Sequence, residues 1–171
     1  MKLSYVERAS LANQFRILEK LSTVEFEQKD YSYKAEIFEE GYERLYEDAL
    51  NTIGKTAHSE EEGQELFDIL NMYRHIHISL KSLSASETAQ INMGNTEFEG
   101  LDGNNDREYG FLIFVVENGR YSELDRNNLN SHTTASLPKY REMLSLYNTF
   151  SGTNSYKPLP FSEVKHLTDI N

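Results

Sequence analysis

Apolar residues recur along this chain at intervals of three and four, and the densest such run lies near its centre. From Glu65 to Leu83, the sequence ELFDILNMYRHIHISLKSL places Leu66, Ile69, Leu70, Tyr73, His77, Leu80 and Leu83 along one helical stripe. A second stripe of Phe67, Met72 and Ile76 widens the apolar arc. An arc that broad predicts a central helix with neighbours on more than one side. Ser59 and Glu62, ahead of it, match the S-x-x-E capping box that starts helices.

The same box, Ser4 and Glu7, heads a first helix whose apolar face reads Leu11, Phe15, Leu18 and Leu21. A second helix is predicted from Tyr31 to Ile53, with Ile37, Phe38, Gly41, Tyr42, Leu45 and Ala49 on its buried side. Gly41 inside it predicts a close approach by another helix, and Gly54 ends it. From 84 to 103 the periodicity stops, which predicts one long irregular connection. It closes on the turn-forming stretch 99–106. The short apolar run Phe111–Val116 suits either a buried strand or a buried helix. No second strand pattern exists to pair with it, which favours a helix, stopped by Asn118-Gly119. A helix from Leu137 to Phe150 carries Pro138 in its first turn, a loop covers 151–160, and a last short helix runs from Ser162 to about Ile170. The pattern predicts an all-α fold: a single compact domain over 1–171, of five to six helices with one irregular connection.

Composition narrows the function classes. The chain has 171 residues, 38% of them hydrophobic, enough for a sizeable core. Its net charge is −11 and its 17 basic residues are dispersed, so nucleic acid and anionic membrane are excluded as primary partners. The acidity reads as solubility, with a basic protein partner as the sharper alternative. The chain has no Cys, which removes disulfides, thiolate metal sites and thiol nucleophiles. No apolar run reaches the length of a membrane span. Glu7 and Arg8 interrupt the place where a signal peptide would need its apolar core, so a cytoplasmic protein is expected.

Six strings in order carry a family resemblance. They are Leu11-Ala-Asn13-Gln14-Phe15; Glu39-Glu-Gly41-Tyr42; Asp68-Ile-Leu-Asn-Met72-Tyr73 with His77 and Ser79; Gly100-Leu-Asp102-Gly103-Asn104; Gly119-Arg120-Tyr121; and Lys139-Tyr140 with Met143-Leu144. Together they resemble the YfbU-like family over nearly the whole chain. The resemblance implies a cytoplasmic, all-α bacterial protein. In some relatives the domain is joined to a helix-turn-helix, which implies a ligand-sensing role. The family assigns no catalytic residues, so none is carried over.

The candidate chemistry is sparse. His75 and His77 are not a metal pair, because two residues on a helix turn about 200° apart. His77, on the stripe of Tyr73 and Leu80, is expected to be buried and His75 exposed. Glu163 and His166 form a lone E-x-x-H, where a carboxylate-bridged metal bundle needs two. Asp102, Asn104 and Asp106 start like a calcium loop, but Arg107 and Ile113 stand where Gly and Glu are needed. They read instead as a turn and helix cap, or as a holder for a polar ligand at that helix start. Arg120, just past a helix-ending Gly, either satisfies backbone carbonyls or binds a carboxylate or phosphate. No metal, cofactor or catalytic set is called for. The expected ligand-binding residues are Tyr73, His77, Asp102, Asn104 and Arg120. The leading reading is a non-catalytic regulatory, ligand-sensing or interaction domain, taking a small polar or anionic ligand and forming a homo-oligomer. The alternatives are a small-molecule enzyme using a Tyr/His/Asp/Arg pocket and a purely structural oligomer.

Overall fold

The computed structural model describes residues 1–54, 56–124, 129, 136–150 and 157–170. Among them the chain is all-helical and contains no strand. The described residues form eight α-helices and two 3₁₀ turns, more than the five to six helices expected. They fall into two compact units, Met1–Ala57 and His58–Asn171.

In the first unit, α1 (Tyr5–Leu21) and α2 (Glu25–Glu40) form a helical hairpin. The Ser4 hydroxyl accepts from the Glu7 amide at 3.3 Å, and the Glu7 carboxylate accepts from the Ser4 amide at 2.8 Å. Phe38 is stacked between Phe15 (5.8 Å between centroids) and Tyr46 (5.2 Å). Leu18 and Leu21, expected in the core, are exposed. At that end of the hairpin α2 opens with the polar Glu25, Glu27 and Gln28, and Phe26 among them is itself exposed rather than packed over the two leucines.

The helix expected from Tyr31 to Ile53 starts earlier and stops at Glu40. Gly41 is its left-handed C-cap (φ 76°), not an interior residue, and its amide donates to the Ile37 carbonyl at 3.1 Å. A 3₁₀ turn (Glu43–Leu45) and the short α3 (Tyr46–Ala49) follow. A close approach does occur at Gly41, but a side chain makes it: the Arg8 guanidinium, which donates to the Phe38 carbonyl at 3.3 Å, fills the space a Cβ would need. Gly41→Ala should therefore destabilise the protein by about 1–3 kcal/mol, the cost of a non-glycine residue held left-handed. Urea denaturation checks this, and the loss should persist in an Arg8→Ala background, where only the steric part is relieved.

In the second unit, α4 (Glu60–Leu80) packs against α6 (Glu108–Glu117), α7 (Leu137–Tyr147) and α8 (Phe161–Thr168). Ser59 and Glu62 form its capping box, and Pro138 sits in the first turn of α7. Leu66, Ile69, Met72, Ile76, Leu101, Leu112 and Met143 are among its fully buried side chains. The run Phe111–Val116 is helical and lies within α6. The connection 84–103 is not irregular throughout: α5 (Ala85–Thr88) starts at a third S-x-x-E box, Ser84 to Glu87, and a 3₁₀ turn (Met93–Asn95) follows. The stretch after it is tied down at two points. The Leu101 amide donates to the Leu129 carbonyl at 2.9 Å. Tyr140, fully buried, donates its hydroxyl to the Gly100 carbonyl at 2.9 Å and accepts from the Glu99 amide at 3.2 Å. The loop expected at 151–160 lies outside the described residues as far as 156.

Candidate functional site

Helix α4 supplies most of the polar chemistry, but with a different phase from that expected. His75 is buried (1% exposed) and His77 is exposed, the reverse of the sequence expectation. The buried arc turns along the helix. In its last two turns Tyr147 of α7 and the segment ahead of α8 hydrogen-bond to His75 and Ser79, and Ile76 beside them is buried as well. His77, about 100° on from Ile76, is turned out of that contact. Both ring nitrogens of His75 are used: Nε2 donates to the Lys157 carbonyl at 2.6 Å, which leaves Nδ1 to accept from the Tyr147 hydroxyl at 2.8 Å. Ser79 adds a second tie, donating to the His75 carbonyl and accepting from the Leu159 amide. His75 and Ser79 are thus structural anchors.

The expected site residues divide into three places. Tyr73 and His77, one turn apart, line one cavity of about 360 Å³, together with Leu70, Arg74, Thr96, Glu97, Phe98, Glu123, Leu124 and Leu129. Tyr73 is otherwise a core residue. Its hydroxyl donates to the Met143 sulfur at 3.4 Å, and its ring packs edge-on against Phe98 and Tyr140. Burial pushes its phenol far above the ordinary tyrosine range, so it stays protonated at neutral pH. Burial also pushes Tyr140 up to about 12.

Asp102 and Asn104 line neither this cavity nor the next. Asp102 is buried, and its carboxylate accepts from the Asn104 amide (2.9 Å) and the Asn105 side chain (2.6 Å). The Asp102 amide donates to the Asp106 carboxylate at 2.8 Å. The turn thus folds its polar groups onto itself ahead of α6. Asn104 is exposed.

Arg120 belongs to a second, polar pocket of about 490 Å³, walled by Gln64, Phe67, Asn71 and Arg74 of α4 and by residues 119–122. Its backbone closes α6: Arg120 N bonds to the Val115 carbonyl (3.2 Å) and Gly119 N to that of Val116 (3.0 Å), with Gly119 left-handed (φ 84°). Tyr121 is also left-handed (φ 53°), an uncommon conformation for a ring-bearing residue. The turn lays its side chains against α4 in an interleaved stack. The Arg120 guanidinium sits 4.2 Å from the Phe67 ring centroid, and the Arg74 guanidinium 4.4 Å from that of Tyr121. The two rings stack on each other at 6.2 Å with planes 22° apart.

The pocket's unused groups include several donors. Arg74 pairs through Nε with Glu123, which raises the guanidinium's pKa and holds the Glu123 carboxyl below the usual carboxylate range. The Tyr121 hydroxyl donates to Asn71 Oδ1 at 3.0 Å, so the Asn71 amide hydrogens remain available. Among the described residues, the Arg120 guanidinium has no carboxylate partner and the Ser122 hydroxyl no hydrogen bond. The sequence places Phe67 only on an apolar stripe and does not mark Asn71 or Arg74 as site residues. Their signal was present, since Gln64, Phe67, Asn71 and Arg74 follow a three-four-three spacing on the helix.

Among the described residues, no group of three His, Asp or Glu is placed to hold a metal ion, and no helix is long and apolar enough to cross a membrane. The second unit is thus a helical domain whose central helix carries a donor-rich pocket on one side and anchoring hydrogen bonds on the other. Residues 1–169 match the YfbU domain, and the chain belongs to that family. It is similar to the UPF0304 protein MJECS11 of Methanocaldococcus jannaschii, 34% identical over 155 residues that cover 86% of this chain and 88% of that one.

Proposed function

We propose that this protein is a cytoplasmic, non-catalytic regulatory domain that senses a small anionic ligand in the Arg120 pocket. The observation that carries this reading is an Arg120 guanidinium with no carboxylate partner among the described residues, lining one pocket with the Asn71 amide and the Ser122 hydroxyl, which add donors. An oxyanion is the ligand such a set recognises, and guanidinium is the side chain best matched to carboxylate or phosphate. The rival enzyme reading needs a reactive Tyr73, but that hydroxyl is committed to Met143 and held protonated by burial. The test is calorimetric titration of the full chain with inorganic phosphate, pyrophosphate and simple dicarboxylates. At least one should bind, and Arg120→Ala should weaken it about tenfold to a hundredfold, the worth of a hydrogen bond to a charged group. If no anion binds the wild-type chain, the reading is wrong.

The homo-oligomer reading draws on the apolar residues exposed in the first unit, among them Tyr5, Val6, Leu21 and Phe26. Sedimentation equilibrium of the full chain decides it: a monomer at every concentration rules it out.

A further inference from the structure

Two cavities meet at one residue. Arg74 lines both the Arg120 pocket and the neighbouring space walled by Tyr73, Phe98, His77 and Glu97. Their free chemistry is opposite. In the second cavity the Glu97 carboxylate has no hydrogen-bond or ion-pair partner among the described residues; the His77 ring makes no hydrogen bond and acts electrostatically on Glu123. The Tyr73 and Phe98 rings, though largely buried, wall the same cavity, and aromatic rings attract ammonium groups.

The Arg74–Glu123 pair lies between these two chemistries with a definite sense. Arg74 lines both spaces, while Glu123 lines the second alone. A ligand with its negative end at Arg120 and its positive end toward Glu97 therefore runs antiparallel to the pair, which is electrostatically complementary. A dianion long enough to reach the second cavity would set a carboxylate against Glu97 and Glu123. A simple amine would leave Arg120 unmatched.

We infer that the ligand is a zwitterion of the amino-acid class, its acid group held by Arg120 and Arg74 and its ammonium by Glu97 against the Tyr73 and Phe98 rings. This rests on the anion-binding reading above and adds the second contact to it. The test titrates the full chain with unbranched ω-amino acids from glycine to aminohexanoate, and with the dicarboxylates of matching length. One amino acid in the series should bind about tenfold or more tightly than its matching dicarboxylate, the worth of one charge-assisted hydrogen bond. Glu97→Gln should abolish that advantage while leaving dicarboxylate binding intact or stronger. Glu97 is exposed and unbonded, so the variant should melt like wild type. Arg120→Ala should weaken both series. Dicarboxylates binding as well as amino acids, or a preference that survives Glu97→Gln, overturns the zwitterion and leaves the anion pocket standing. Binding by neither series nor by phosphate overturns both.

Discussion

Tyr140→Ala should be the most damaging single substitution proposed for this chain, lowering the free energy of unfolding by about 3–5 kcal/mol, the usual loss for a buried large aromatic. Three causes converge. The ring is fully buried and packs against Tyr73 and Phe98. Its hydroxyl is the partner of both the Glu99 amide and the Gly100 carbonyl. Those backbone groups position Leu101, itself fully buried. Tyr140→Phe separates the contributions: it keeps the packing and removes the hydroxyl, and should cost about 1–3 kcal/mol. The Ser136 hydroxyl still reaches the Gly100 carbonyl at 2.9 Å, so the Glu99 amide is the group left without a partner. Urea titration followed by helical circular dichroism measures both. A loss below about 1 kcal/mol for Tyr140→Ala would be too small for a buried aromatic and would show that this anchor does not hold 99–101.

The second large effect is a contrast between two histidines. His75→Ala should destabilise by about 2–4 kcal/mol, because it opens a cavity and strands the Lys157 carbonyl and the Tyr147 hydroxyl. His77→Ala should stay within about 0.5 kcal/mol, since that ring is exposed and has no hydrogen bond among the described residues. Thermal melts of the two variants side by side decide it. Equal losses would contradict the burial pattern of α4.

That contrast also marks where sequence reasoning stopped. The helical class followed from periodicity, and capping boxes located the starts of α1 and α4 to the residue. Glycine-based stops worked at Gly119, where the chain turns left-handed as expected of a helix end. Gly41 obeys the same rule, ending α2, where apolar periodicity alone predicts one long helix; a helix, a 3₁₀ turn and a short helix occur instead. Ser84 and Glu87 carried the signal used elsewhere, yet the surrounding connection lacked apolar periodicity and hid α5. The histidines failed for a different reason. A helix with a broad apolar arc has no single phase, and only the neighbours at each level determine which edge is covered. The placement of the candidate residues was legible in part. Tyr73 and His77 share a cavity as their one-turn spacing suggested, and Arg120 faces a pocket. Asp102 and Asn104 did not join them, because a turn rich in Asp and Asn can satisfy its own backbone.

Helix α4 has little room for neutral drift. Between Gln64 and Leu80 its exposed residues are Gln64, Asn71, Arg74, His77 and Ile78, and all but Ile78 line a cavity. The positions behind them form the core or anchor the chain ahead of α8. Surface residues usually absorb mutation cheaply, but here most of that surface is cavity wall. A saturation scan under selection for function should find α4 intolerant on nearly every side from Gln64 to Leu80, with Ile78 the most permissive position of that stretch.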